Sequence, residues 1–200
     1  MLKILLSLLF FVVSGVCFAK EKKTDAVKSQ EILRVINEGL AKITDMKVGF
    51  RQKFGDKMET GYAEFKSGHG IYIKYESMPI TLLTNKDITV YYDAKMEQKS
   101  EVPTKDSATK IFTGVTQIDD KMFDIVSVSE TDEAYSVVAT VKRLKSEGMI
   151  TMYFSKSDVL LRRVDIKSPD EQVMRVDIYS HNFSAVSSER FKAINVTKKI

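Results

Sequence analysis

Apolar and polar positions along the chain follow two periods in succession. From Thr24 to about Ile43 the spacing is helical: Ile32, Leu33, Ile36, Leu40 and Ile43 fall on one stripe. Lys28, Glu31, Arg34, Asn37 and Glu38 make the wet side, and Thr24 or Asp25 is a suitable N-cap. After Thr44-Asp45 the period becomes two. Met46, Val48 and Phe50 alternate with Lys47, Gly49 and Arg51, as in a half-buried strand. Further strand patterns fall at 58–66, 70–76, 80–84, 88–93, 96–102, 122–129, 134–143, 149–154, 159–167 and 172–180, with a weaker one at 192–197. A short helix is expected around Asp106 to Phe112.

Turn clusters such as Asn85-Lys86-Asp87, Asp93-Ala94-Lys95 and Ser155-Lys156-Ser157-Asp158 separate the strands. Strands at near-regular spacing without βαβ alternation predict one antiparallel meander in one domain. So wide a sheet has to curl. The helices are too few to form half of a two-layer core, which favours a curled sheet with a helical lid over a two-sheet sandwich. In GYAEFKSGHGIYIKY, residues 61–75, the apolar set Ile71, Ile73 and Tyr75 points one way and Tyr72 and Lys74 the other. That first face is either core or the wall of a cavity.

Met1-Leu2-Lys3, the apolar run Ile4 to Val13 and the small residues leading to Ala19 read as a secretory signal peptide cleaved after Ala19. Residues 20–200 would then be the working domain. Cleavage removes Cys17, the only cysteine, so no disulfide would brace the exported chain. The net charge of +4 is made of interspersed signs, with no basic block, which argues against nucleic acid. Catalytic chemistry is thin. His69 and His181 are far apart, Ser67-Gly68-His69-Gly70 lacks the nucleophile-elbow spacing, and no glycine-rich phosphate cradle occurs. Asp119, Asp120, Asp124, Glu130, Asp132 and Glu133 sit at expected turns. No enzyme, metal or cofactor is expected.

Several stretches share one order and spacing with a known family. Met46-x-Val48-x-Phe50-x-Gln52-Lys53 resembles the first strand of the periplasmic outer-membrane lipoprotein carrier proteins of the LolA type, which follows an N-terminal helix. Glu59-Thr60-Gly61-Tyr62-Ala63-Glu64-Phe65 is similar to their Glu-Gly-x-Gly-x-Leu strand. Asn85 to Asp93, running into Glu97-Gln98, is similar to their Asp-Gly-x-x-x-Trp-Phe-Tyr-Asn…Glu-Gln stretch. Gln172 to Tyr179 and Phe191 resemble the closing strands.

The resemblance implies an incomplete, half-open antiparallel β-barrel, mainly β with a few helices, covered by a helical lid. It implies a monomeric chaperone in the periplasm of a Gram-negative bacterium. Such a chaperone receives lipoproteins from an inner-membrane ABC transporter, shelters their acyl chains and delivers them to an outer-membrane acceptor. An envelope lipid-binding or lipid-sensing protein of the same fold is the alternative. The expected cavity wall is Val48, Phe50, Ile71, Ile73, Tyr75, Leu82 and Tyr91, with Ile32, Leu33, Ile36 and Leu40 as the lid's inner stripe. A one-residue slip in strand facing would invert that wall. His69 stands where the family has a lid-clasping Arg, and is the candidate clasp here; Val90 replaces the usual Trp. Eight methionines would remain after cleavage, a side chain suited to irregular cargo.

Overall fold

A computed structural model of the chain describes residues 18–104, 117–142 and 148–192. The short helix expected at 106–112 and, Lys192 apart, the last expected strand lie outside them. Helix α1 spans Phe18–Leu40. It therefore begins before the expected Thr24 and ends before Ile43, which sits in the turn beyond it.

Eleven antiparallel strands follow: β1 (Asp45–Phe54), β2 (Lys57–Lys66), β3 (Gly70–Tyr75), β4 (Ile80–Thr84), β5 (Ile88–Asp93), β6 (Gln98–Pro103), β7 (Phe123–Glu130), β8 (Ala134–Val141), β9 (Met149–Ser155), β10 (Leu161–Lys167) and β11 (Val173–Asn182). They form one sheet in the order β6-β5-β4-β3-β2-β1-β11-β10-β9-β8-β7. The sheet is thus two meanders, zipped together where β1 pairs with β11, rather than a single meander. Phe50 lies opposite Ile178 and Gln52 opposite Val176 across this seam. The edges β6 and β7 are not paired with each other, so the barrel is half-open.

The concave face reads continuously across the register. Met46, Val48 and Phe50 of β1 face Phe65, Ala63 and Gly61 of β2, which face Ile71, Ile73 and Tyr75 of β3. On the other side, Val176 faces Val164, then Met152, then Val137. Helix α1 covers only this second half. Ile32, Ile36 and Leu40 are buried against Phe123, Val137, Ala139, Ile150, Met152, Phe154 and Val164, with Leu33 half-buried beside them. Along the helix's outer face, Arg34 bridges Glu31 and Glu38, while Lys28 reaches Glu130 at 2.7 Å.

Asn37 corrects the expected wet side. Its amide donates to Ile118 O at 3.0 Å, and its oxygen accepts from Ile118 N at 2.7 Å, so it clamps the chain entering β7 to the helix.

The opposite, convex face has a smaller core of its own. Leu83 and Val90 are capped by Val186 and Phe191 from the segment after β11, which ends in a 3-10 turn, Ser188–Phe191. Two polar anchors hold this strap, the first of them steadied by Lys66. Asp45 accepts from Val186 N and from Lys66 Nζ, each at 2.9 Å, and Arg190 Nε donates to the buried carboxylate of Glu64 at 2.8 Å. Gly70, at the start of β3, has φ +137° and leaves no room for a Cβ, which would collide with Thr84 O. Only glycine adopts that backbone comfortably, so the β2–β3 turn and the β3–β4 pairing depend on it.

Candidate functional site

The half of the concave face that α1 does not cover encloses a hollow of about 330 Å3. That is about twice the engineered cavity of about 150 Å3 that accepts benzene, and it lies at the low end of natural ligand pockets, about 300–1,000 Å3. Two walls face each other across the β1–β11 seam. One is β1–β4, with Met46, Val48, Phe50, Ala63, Phe65, Ile71, Ile73 and Leu82. The other is β10–β11, with Leu161, Ile166, Met174, Val176 and Ile178. Leu40 and Ile43 close the end beneath the helix.

A hollow needs missing side chains as well as large ones. Gly61 lies opposite Phe50, and a Cβ there would stand 2.6 Å from the Phe50 ring. The glycine lets that ring lie flat against β2. Tyr75 meets it edge-on, with centroids 5.3 Å apart and planes at 84°. The question posed by residues 61–75 is thereby answered: Ile71, Ile73 and Tyr75 line an empty space.

Six expected wall residues, Val48, Phe50, Ile71, Ile73, Tyr75 and Leu82, lie on this surface. Tyr91 does not. It is opposite Leu82 in the register but 40% exposed, because beyond it lies only β6, every residue of which is exposed. Of the expected lid stripe, Leu40 alone reaches the hollow; Ile32, Leu33 and Ile36 pack on the β7–β10 half. His69 is exposed in the β2–β3 turn, with Nδ1 3.2 Å from Ser67 O and its ring 6.0 Å from that of Phe191. That is the convex side, whereas α1 lies on the concave side. The β10–β11 wall was not anticipated. Its alternation, Met174, Val176, Ile178, is visible in the sequence, but its partnership with β1 joins residues about 130 positions apart.

Among the described residues, Gln52, Tyr75 and His181 alone bring polar side-chain atoms to the lining. Tyr75 Oη donates to Gln52 Oε1 at 2.8 Å, and desolvation raises the phenol's pKa. His181 is fully engaged: Nε2 donates to Leu161 O at 3.1 Å, and Nδ1 accepts from Arg162 Nη1 at 3.1 Å. Arg162 is in turn paired with Asp158. Burial first, and the nearby guanidinium second, hold the imidazole below its ordinary value of about 6.5.

The unfolded chain therefore takes up that proton first as the pH falls. The stability supplied by neutral His181 is full above about pH 6.5 and is lost on acidification towards the lowered folded value. Urea midpoints measured from about pH 8 to about pH 5 should fall more steeply for the wild type than for His181→Asn. Equal slopes would refute this.

Two of the acidic turn residues have structural partners. Asp119 Oδ1 accepts from Lys121 N and Met122 N, each at 3.1 Å, and Glu130 joins Lys28 and Lys156. Among the described residues no group of three His, Cys, Asp or Glu could hold a metal, and no helix is long and apolar enough to cross a membrane.

Comparison with known proteins agrees with this architecture. An uncharacterized conserved protein from Thermus thermophilus has the same fold at 11% identity, with a TM-score of 0.57 over 84% of this chain and 94% of that one. A DUF1329 family protein from Desulfovibrio piger is similar at 13% identity, with a TM-score of 0.50 over 84% of this chain and 98% of that one. No curated protein sequence matches the chain. The profile of the family "Outer membrane lipoprotein carrier protein LolA" matches residues 41–193, from the end of α1 through the strap. The chain belongs to the LolA family.

Proposed function

We propose that this protein is a periplasmic carrier that shelters the acyl chains of lipoproteins in the hollow between β1–β4 and β10–β11. The observation that carries the reading is that hollow: about 330 Å3, walled by Ile, Leu, Val, Met and Phe side chains on a sheet whose other half is solidly packed. In this proposal the chain is exported by its leader and cleaved after Ala19. It receives cargo from an inner-membrane ABC transporter and delivers it to an outer-membrane acceptor.

Energetics support a carrier over a tight binder. Each buried methylene is worth about 0.8 kcal/mol relative to water, but a chain leaving a bilayer was already in hydrocarbon. A wall about as apolar as the membrane, and no better, leaves the transfer nearly balanced and release feasible. The half-open edge between β6 and β7 and a β1–β4 wall that α1 does not cover give cargo a way in and out without unfolding the helix-covered core.

Native mass spectrometry of the protein isolated from periplasm is the test. One lipoprotein bound per protein is expected. Free phospholipid or glycolipid in its place would select the alternative, an envelope lipid-binding or lipid-sensing protein that does not ferry lipoproteins. Protein with no lipid at all would overturn both.

A further inference from the structure

The two polar ends of the hollow are not equivalent. His181 spends both ring nitrogens on Leu161 O and Arg162, and offers a ligand nothing. Gln52 differs. Tyr75 Oη occupies its carbonyl oxygen at 2.8 Å, and its Nε2–H2 group donates to no protein atom among the described residues. An amide turned in this way presents both of its donors, while its oxygen is already engaged by the phenol.

Its place in the hollow matters as much as its chemistry. Along β1 the lining runs Met46, Val48, Phe50, Gln52. The next inward-facing residue, Phe54, is 45% exposed and lies opposite Met174. Gln52 therefore stands at the rim, with apolar wall extending from it towards Ile43 and Leu40. The six residue steps of strand from Gln52 to Met46 cover about 20 Å, enough for an acyl chain that spans one leaflet, about half of a 30 Å hydrocarbon core.

We infer that Gln52 is a polar subsite that reads the neutral acyl carbonyl at the head of a bound hydrocarbon chain, with Tyr75 as the positioning residue that turns its amide towards the ligand. The hydrocarbon lies along β1 and the carbonyl oxygen accepts from Gln52 Nε2. The subsite rests on the proposed role of the hollow as an acyl-chain site and adds to it a preference for an amide- or ester-linked carbonyl over bare hydrocarbon. Ile73 and Leu82 on the same wall, and Met174 and Val176 on the facing one, offer no competing polar group.

The test measures displacement of the fluorescent probe N-phenyl-1-naphthylamine from the purified full chain by N-methyldodecanamide, methyl laurate and dodecane. The readout is the ratio of carbonyl-ligand affinity to dodecane affinity in wild type, Gln52→Leu and Tyr75→Phe. Loss of one neutral hydrogen bond should lower that ratio about fivefold in Gln52→Leu. In Tyr75→Phe it should fall by less, because the amide remains but is no longer oriented. A side chain that merely packs would move both affinities together and leave the ratio unchanged. A fall with the amide, the ester or both supports the subsite and tells which linkage it reads. Ratios unchanged in both variants while all three ligands bind would overturn the subsite and leave the hollow's role intact. If none of the ligands displaces the probe from the wild type, the subsite and the acyl-chain reading fall together.

Discussion

Ile73→Glu should reduce hydrocarbon binding at least a hundredfold while leaving the protein folded. Ile73 stands between Ala63 on β2 and Leu82 on β4, in the middle of the β1–β4 wall. In the empty protein a glutamate there can keep its hydration, because the residue is only half-buried and the hollow is open on one side. Filling the hollow would strip that water from an unpaired carboxylate, which costs several kcal/mol even after relaxation. Three kcal/mol alone is more than two orders of magnitude in affinity. Probe displacement reads the binding, a thermal melt reads the fold, and release of lipoprotein from inner-membrane vesicles reads the proposed activity. Normal release by this variant would count against an acyl-chain role for the wall.

The second large effect lies in the other half of the sheet. Phe154→Ala should cost about 3–5 kcal/mol of stability, lowering the melting temperature by roughly 10 °C for a chain of this size. Phe154 is 1% exposed, sits beside Leu161 and Tyr135 in the register, and shares its core with Ile36 and Leu40 of α1. Removing the ring leaves a cavity between helix and strands that the sheet's register prevents from closing. A melt within about 2 °C of wild type, no more than the shift that about 1 kcal/mol gives, would mean that the helix does not rest on this core.

Taken as a pair, the two variants divide the protein by task. Ile73→Glu should spare stability and abolish binding; Phe154→Ala should do the reverse in the first instance. The division follows from where α1 is placed. Its apolar stripe fills the concavity over β7–β10, leaving nothing among the described residues to fill the concavity over β1–β4. A single curled sheet thus carries a solid core at one end and a hollow at the other. Gly39 permits the junction: a Cβ there would stand 2.7 Å from Val159, so its absence lets α1 settle against the β9–β10 turn.

The strap bears on the same division from outside. Leu83 and Val90 alternate with Leu82 and Tyr91 along β4 and β5, so these strands are apolar on both faces. A hollow on one side is tolerable only if the other side is packed. Val186 and Phe191 supply that packing, fastened by Asp45 and by the Arg190–Glu64 pair. This convex layer was not expected from the sequence. Its residues belong to a short irregular segment with no periodicity to betray it.

Local periodicity determined a great deal by itself. A period of two, broken by turn clusters, was enough to place the strands and to show which of their residues share a face, because alternation is a property of each strand alone. That is why Val48 could be grouped with Phe50, and Ile71 with Ile73 and Tyr75, before any pairing was known, and why the stripe Ile32, Ile36, Leu40 marked an amphipathic helix. Only the tertiary structure decided which surfaces meet. The β1–β11 seam, the helix's choice of β7–β10, the second wall of the hollow and the outer strap all join residues distant along the chain. Burial of apolar area has no direction of its own, so nothing in a local pattern states which of several apolar faces will cover another. Whether the inner face became core or cavity depended on that competition, and α1 covers only half of it.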